Sequence, residues 1–338
     1  MVDFHEERVK FAEAVKPPQG KYPYFDKNGK LRIFREEKWG YLDLKGVIVV
    51  TPQFDAASDF SEGLAAVAFD TDRTNHSCLH CDAYQTWGFI DKQGMFVVPP
   101  QYHAVGPFSE GLAAVENENG KWGYINTKGD LIIPFLFEVA RSFHEGLAVA
   151  AVNRQAGYID SRGRFVIKPR FTIAGDFSGG VAAVRVGGKT GTVTYGAKGG
   201  RWAFIGKDGK TKIGLPKSVE QAEDFSEGRA AIRTLGKCGY IDTFGAVVIP
   251  LKFSLCGAFS EGFADVLGNE KWQFLDKTGQ VALEVSYSRI HPFRNGLAAV
   301  EEGTNGREQK FGYIDKQGKE VWKPRQALPD APQIPIVQ

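Results

Sequence analysis

Short apolar runs, separated by polar turns that contain glycine, succeed one another along the chain and return in a fixed order. One run reads Leu-Ala-Ala-Val, as at residues 64–67 and 112–115. The next reads Trp-Gly-Tyr-Ile-Asp, clearest at 39–43, 87–91 and 122–126. A Val/Ile-rich run follows and reaches a proline; Pro52, Pro99, Pro134, Pro169, Pro216, Pro250 and Pro324 mark these places. Runs this short, rich in β-branched and aromatic residues and bounded by turn residues, predict strands rather than helices. A unit so small can bury its apolar side only against neighbouring copies, so the repeat dictates the architecture.

The turns are as regular as the runs. Glycine stands three residues after Asp43, Asp91, Asp160, Asp242, Asp276 and Asp315. That is the chemistry of a tight hairpin, in which the acid opens the turn and glycine supplies positive φ. A second turn, Phe-Ser-Glu-Gly, begins at Phe60 and Phe108 and, with changes, at Phe143, Phe177, Phe225, Phe259 and Phe293. One unit therefore predicts four antiparallel strands. Strand a leads into the Ser-Glu-Gly turn, strand b is Leu-Ala-Ala-Val, strand c is the Trp-Gly run and strand d is the run that stops at proline. Four such strands have the size of a propeller blade. A proline ending strand d suits an outermost strand, where a missing N–H does no harm and edge pairing is blocked.

Units so defined span 54–100, 102–134, 137–169, 171–216, 219–250, 253–284 and 287–324. A looser eighth takes its strands from 22–26, 31–34, 39–43 and 47–52. The expected fold is all-β, a β-propeller of seven or eight four-stranded blades over residues 21–324, with an open β-hairpin solenoid as the alternative. Ahead of it, Asp3 with Glu6 forms a capping-box pattern that predicts a short amphipathic helix within 1–20, ended by Pro17 and Pro18. Behind it, 325–338 carries Pro329, Pro332 and Pro335 and reads as an extended tail.

Composition narrows function more than fold. The 43% hydrophobic and 24% charged residues are those of a soluble globular chain. A formal charge of +2, with both signs interspersed, is a poor footprint for nucleic acid or an anionic membrane, and no apolar stretch is long enough to span a bilayer. The first residues lack the basic and apolar regions of a secretory signal, so cytoplasmic residence is expected; export without a cleavable signal is compatible with the same sequence. A monomer is expected.

The paired motifs Trp-Gly-Tyr-Ile-Asp-x-x-Gly and Phe-Ser-Glu-Gly-Leu-Ala-Ala-Val resemble the WG-repeat (KWG-repeat) family of bacterial proteins, from Tyr22 to Pro324. The resemblance implies a bacterial origin and a β-rich repeat scaffold; it implies no common enzymatic activity and no set of functional residues. The Trp-Gly hairpins are also similar to choline-binding, cell-wall-binding repeats, which implies the solenoid and a glycan-binding module as alternatives.

Candidate chemistry lies in the units' excess length. Three long connections, 69–86, 187–201 and 301–310, each fall between strands b and c, which in a propeller would place them on one rim. The first contains His76, Cys78, His80 and Cys81, soft ligands that together suit Zn, or a redox or disulfide pair. Lys189, Thr190, Arg201 and Arg307 lie in or beside the other two and are candidate binding residues. The Gly187–Thr190 stretch is no phosphate loop, since Ala183 occupies the position of its first glycine.

Cys238 and Cys256 fall at repeat positions and read as buried core thiols. The repeated Trp residues read as packing between units, and the glutamates of the Ser-Glu-Gly turns as turn residues, since catalytic carboxylates would be unique rather than periodic. His103 and His291 sit in or beside strand a, where a propeller lines its channel. The expected function is a non-enzymatic scaffold that binds a protein or peptide through the rim of long connections, with no cofactor. A glycan-binding module is the alternative, and a metal-dependent enzyme using the 76–81 cluster is the third reading.

Overall fold

The computed structural model describes residues 8–14, 24–25, 31–32, 37–43, 48–70, 85–188, 199–294, 296–303 and 310–326. Every regular element among them is a strand, so the fold is all-β, and no helix is long and apolar enough to cross a membrane. The chain forms two compact units, one of residues 1–120, 124–131 and 327–338, the other of 121–123 and 132–326. Antiparallel four-stranded sheets, ordered a-b-c-d along the sequence, recur as predicted, spanning 56–102, 104–137, 221–253, 255–284 and 289–326. Between 139 and 214 two such sets merge into one seven-stranded sheet, because Phe165–Ala174 serves as strand d of the first and strand a of the second. These are the blades of a β-propeller fold.

The Trp-Gly pair has a specific backbone cause. In the 221–253 sheet Cys238 pairs with Phe253 and Tyr240 with Ile249, so the single residue Gly239 faces three residues of strand d. A Cβ on Gly239 would lie 2.4 Å from the Ile249 carbonyl oxygen and 2.6 Å from that of Pro250. Gly88, Gly123 and Gly157 meet strand d equally closely. The prolines therefore do not end strand d as the sequence suggests. Pro250 lies inside Val247–Phe253, and Pro99 and Pro100 lie inside Phe96–Tyr102, at the bulge where the ladder is already interrupted and no N–H is needed. Past the bulge the strand resumes pairing with strand c.

The core lies between successive sheets. In the second unit Tyr240, Ile249 and Phe253 of one sheet pack with Phe259, Ala264, Val266 and Leu275 of the next. The first unit repeats this with Tyr41, Val50 and Phe54 against Phe60, Val67 and Ile90. The strand-c tyrosine sets the joint. Its ring meets the Phe of the following Phe-Ser-Glu-Gly turn edge-on, 5.0 Å for Tyr240–Phe259 and 4.8 Å for Tyr158–Phe177. Its hydroxyl donates to the following strand a, Tyr240 to the Gly257 carbonyl at 2.7 Å and Tyr158 to that of Gly175 at 2.9 Å. Burial pushes these phenols far above their ordinary pKa.

The Phe-Ser-Glu-Gly turn is a clasp to the next sheet. Ser226 and Ser260 donate to the carbonyls of Phe259 and Phe293 one repeat on. The glutamate carboxylates accept the N–H of the next turn's glycine: Glu62 from Gly111, Glu145 from Gly180, Glu227 from Gly262 and Glu261 from Gly296. Lysines from strand c–d turns, Lys207, Lys277 and Lys316, pair with Glu145, Glu227 and Glu261. To reach so far, Glu62, Glu145, Glu227 and Glu261 hold φ between 51° and 53°, a conformation unfavourable for a side-chain-bearing residue.

Two expectations need correction. Residues 8–14, placed in a helix by the sequence, form the strand Arg8–Ala14, which pairs along Glu37–Asp43 in the place of strand b. The open edge of that Trp-Gly strand needs partners for its N–H and C=O groups, and this outweighs a weak local helix pattern. Correspondingly, Tyr24–Phe25 and Leu31–Arg32 pair with each other and not with the Trp39 strand, so the N-terminal sheet has three strands among the described residues. Secondly, Cys238 and Cys256 are not separate thiols. They form a disulfide with Cα atoms 6.1 Å apart, joining strand c of one sheet to strand a of the next. The tail 327–338 lies outside the described residues.

Candidate functional site

Periodic residues serve the scaffold, which leaves for function the residues that break the period where there is room around them. Two positions before each turn phenylalanine the repeat places a small residue, Ser58, Gly106, Gly175 or Gly257; Arg141, Glu223 and His291 depart from this. After the Leu-Ala-Ala-Val run the repeat leaves the residue free to vary, Ala68, Glu116, Ala151, Arg185, Arg233, Leu267 and Glu301. Arg141, Arg185 and Glu223 meet at a cavity of about 370 Å³ in the second unit, walled by strand a residues of three consecutive repeats together with Trp202.

Arg185 and Trp202 are cross-strand neighbours at the ends of Val181–Val186 and Arg201–Gly206, where the 187–200 connection leaves the sheet. The guanidinium lies 5.8 Å from the centre of the Trp202 ring. Its Nε is buried and has no hydrogen-bond partner. The indole is itself fixed, donating to the Glu220 carbonyl at 2.9 Å. Arg141 donates to the Ala174 carbonyl at 3.3 Å and faces Asp176 Oδ1 at 3.6 Å.

The acids of the cavity are turned to the protein's own N–H groups. Asp224 accepts from the backbone of Asp176 at 2.8 Å and of Ala183 at 3.2 Å, and its carboxylate fills the space a side chain on Gly175 would need. Burial outweighs these two bonds and pushes Asp224 up to about 6, with Asp176 adding to the rise and Arg141 opposing it. The Glu220 carboxylate accepts from Leu235 and Gly236, and that of Glu223 from the Gln221 amide.

Of the residues singled out by sequence, Arg201 is exposed at the start of its strand, one position from Trp202. His76, Cys78, His80, Cys81, Lys189, Thr190 and Arg307 lie outside the described residues. All three long connections do join strand b to strand c, bounded by Leu64–Asp70 and Gln85–Ile90, Val181–Val186 and Arg201–Gly206, and Leu297–Glu302 and Lys310–Asp315. His103 is half-buried, and its N–H donates to the Glu116 carbonyl. His291 is held 2.7 Å from the buried carboxylate of Glu301. Nearby Asp265 is raised by burial, a rise that His291 and Arg289 oppose. Among the described residues no group of His, Cys, Asp and Glu is arranged to hold a metal.

The sequence matches the model of the WG containing repeat at residues 39–70, 87–122, 122–154, 157–189, 239–272 and 274–303. The chain belongs to the WG-repeat family. No curated protein matches this WG-repeat chain in sequence. In structure it is similar to a eukaryotic initiation factor, at 11% identity and a TM-score of 0.51, covering 95% of this chain and 98% of that one. It is also similar to the dihydro-heme d1 dehydrogenase NirN in complex with DHE, at 13% identity and a TM-score of 0.51, covering 87% and 71%. At these identities the likeness is one of fold alone.

Trp39, Trp202 and Trp272 pack in the hydrophobic core. Trp202 is buried, and Trp39, Trp87, Trp122 and Trp272 are half-buried. Trp272 also ties its sheet to the next by donating to the Ser288 carbonyl, as Trp202 does to Glu220. Sequence reasoning missed Arg141, Arg185, Glu223 and Asp224. For Arg141 and Glu223 the signal that could have found them is their departure from a position that Ser58, Gly106, Gly175 and Gly257 keep small, whereas the positions of Arg185 and Asp224 vary from repeat to repeat and carry no such signal.

Proposed function

We propose that this WG-repeat protein is a non-enzymatic scaffold that binds a protein or peptide segment at the side of the second unit from which the 187–200 connection leaves. The observation that supports this reading is a cavity whose wall includes Arg141 and Glu223, residues the repeat does not require, directly beside the roots of a long connection. Other sheets close the same b–c hairpin tightly, with Asn153 and Arg154 alone between the strands Ala148–Val152 and Gln155–Ile159, so the extra length is not needed by the fold. Connections that exceed what a scaffold needs are where repeat proteins place recognition. The glycan reading has less support, because Trp202 and Trp272 are bonded to the following sheet and Trp39, Trp87 and Trp122 are half-buried.

The test replaces residues 187–200 by a two-residue Asn-Gly turn and compares affinity capture of partners by the two proteins. Loss of a specific partner, with an unchanged melting transition, is the expected result. An unchanged set of captured proteins would remove the reading.

A further inference from the structure

The cavity's side chains select a class of ligand as well as a place for it. Resting on the scaffold function, we propose that the Arg185–Trp202 corner is a receptor for a carboxylate carried on a peptide, with Arg185 as its cationic anchor and Arg141, which lines the same cavity, as a second donor.

Three observations converge on a carboxylate. Arg185 lines the cavity, its Nε is covered by the protein without a partner, and among the described residues no carboxylate pairs with its side chain; a cation in a cavity wall without a counter-charge marks a place where an anion belongs. Arg185 lies against the Trp202 ring, and Trp202 is itself pinned by its bond to Glu220, so the fork is held for an incoming planar anion. The carboxylates around the cavity do not neutralise Arg185. Asp224 and Glu220 are each bound by two backbone N–H groups and Glu223 by the Gln221 amide, while Asp176 faces Arg141.

Size points the same way. A cavity of about 370 Å³ takes one or two side chains of an extended segment and excludes a folded surface. The exposed Glu220 and Glu223 at its border disfavour a second negative charge beside the first, so the matching segment carries one acidic group among neutral or basic neighbours.

The experiment uses the full chain and blocked peptides. N-acetyl-Gly-Glu-Gly-amide is titrated into ¹⁵N-labelled protein while the indole N–H signal of Trp202, assigned with Trp202→Phe, is followed. The Gln and Lys counterparts of the peptide are the controls, and N-acetyl-Gly-Gly-Gly with a free C-terminus separates a chain-terminal carboxylate from a side-chain one. A saturable shift with either carboxylate, at least about tenfold weaker with the Gln and Lys peptides, is expected, and Arg185→Gln should weaken it about tenfold. The melting temperature of Arg185→Gln serves as the control for folding, and Arg141→Gln supplies a second variant should Arg185→Gln prove unstable. Equal response to the Gln or Lys peptide, no response at all, or full retention of binding in a folded Arg185→Gln or Arg141→Gln protein would overturn the corresponding assignment. If the shortened-connection protein loses its partner while the carboxylate peptides fail, the scaffold stands and the carboxylate receptor falls.

Discussion

The neighbouring sheets 221–253 and 255–284 solve one problem in two ways. In the first, Gly239 lets strand d bulge, and the strand Val247–Phe253 runs on through Pro250 to pair again with Cys238. In the second, Gln273 stands in place of the glycine. There Gln273 pairs with Glu284 and Phe274 with Leu283 without a bulge between them, and the strand is only Val281–Glu284. The 181–214 repeat agrees: Ala203 replaces the glycine, Ala203 and Phe204 pair in register with Gly214 and Ile213, and the strand is Thr211–Gly214. Glycine in the Trp-Gly pair is thus the local requirement of a bulged strand d, and where the bulge is absent so is the glycine.

The preceding residue differs between the two sheets as well. Trp272 holds the following sheet through its indole N–H, whereas Cys238 holds it covalently through Cys256. A hydrogen-bonded ring and a disulfide are interchangeable means to the same joint.

Moving a methyl group across this comparison gives the largest expected effect. Gly239→Ala drives a Cβ into two backbone carbonyls that cannot turn aside, and urea denaturation should show a loss on the order of 4 kcal/mol. Gln273→Ala, at the unbulged counterpart, should change stability by less than about 1 kcal/mol. Equal effects at the two sites would end the bulge explanation.

Next comes the covalent joint. Reduction, or the double change Cys238→Ala and Cys256→Ala, should lower stability by about 3 kcal/mol, since it frees a loop closed across 18 residues. The double variant should be indifferent to dithiothreitol.

Asp224 comes third. The folded protein keeps its proton up to about pH 6, whereas the unfolded chain gives it up near its ordinary value of 3.8, so this group's contribution is full below that value and is lost as pH rises through 6. Stability should fall by on the order of 2 kcal/mol between about pH 4 and pH 7 on this account, and a pH series of melts on Asp224→Asn should lack that slope.

The smallest effect belongs to the clasps, which both sheets share. Partial burial pushes Glu227 up, but Lys277 and the N–H groups of Gly262 and Glu261 more than reverse this and hold it below its ordinary value. Its contribution is present above the ordinary carboxylate range and lost as pH falls. Glu227→Gln should lose less than about 1 kcal/mol at neutral pH, and less still in high salt, because the pair is exposed.

Much of this was legible in the sequence because it is periodic. The order of the four strands within a unit and the Asp-x-x-Gly turns each repeat, so a chance pattern in one copy is corrected by the others, although the prolines set strand d a few residues short of its true end. What escaped is what occurs once. Arg8–Ala14 has no second copy to reveal it as a strand, and Asp3 with Glu6 ahead of it reads as the start of a helix. The disulfide pairs a cysteine at a Trp position with one in the next strand a, a separation that Trp202 and Glu220 share, so the spacing held the information but only a knowledge of which repeat positions touch could release it. The cavity is a property of three strands brought together, and no one of them announces it.

Among the described residues the series of clasps has a gap at Gly179. Gly179 occupies the position that Glu62, Glu145, Glu227 and Glu261 fill elsewhere, so the turn at Phe177 has no carboxylate to hand to the turn at Phe225. Asp224 reaches back across this seam instead, to Asp176 and Ala183, and unlike Glu145 and Glu227 it is a latch whose ionised form the fold disfavours. The seam beside Trp202 is thus held by a latch that answers to pH in the opposite sense to the clasps of Glu145 and Glu227.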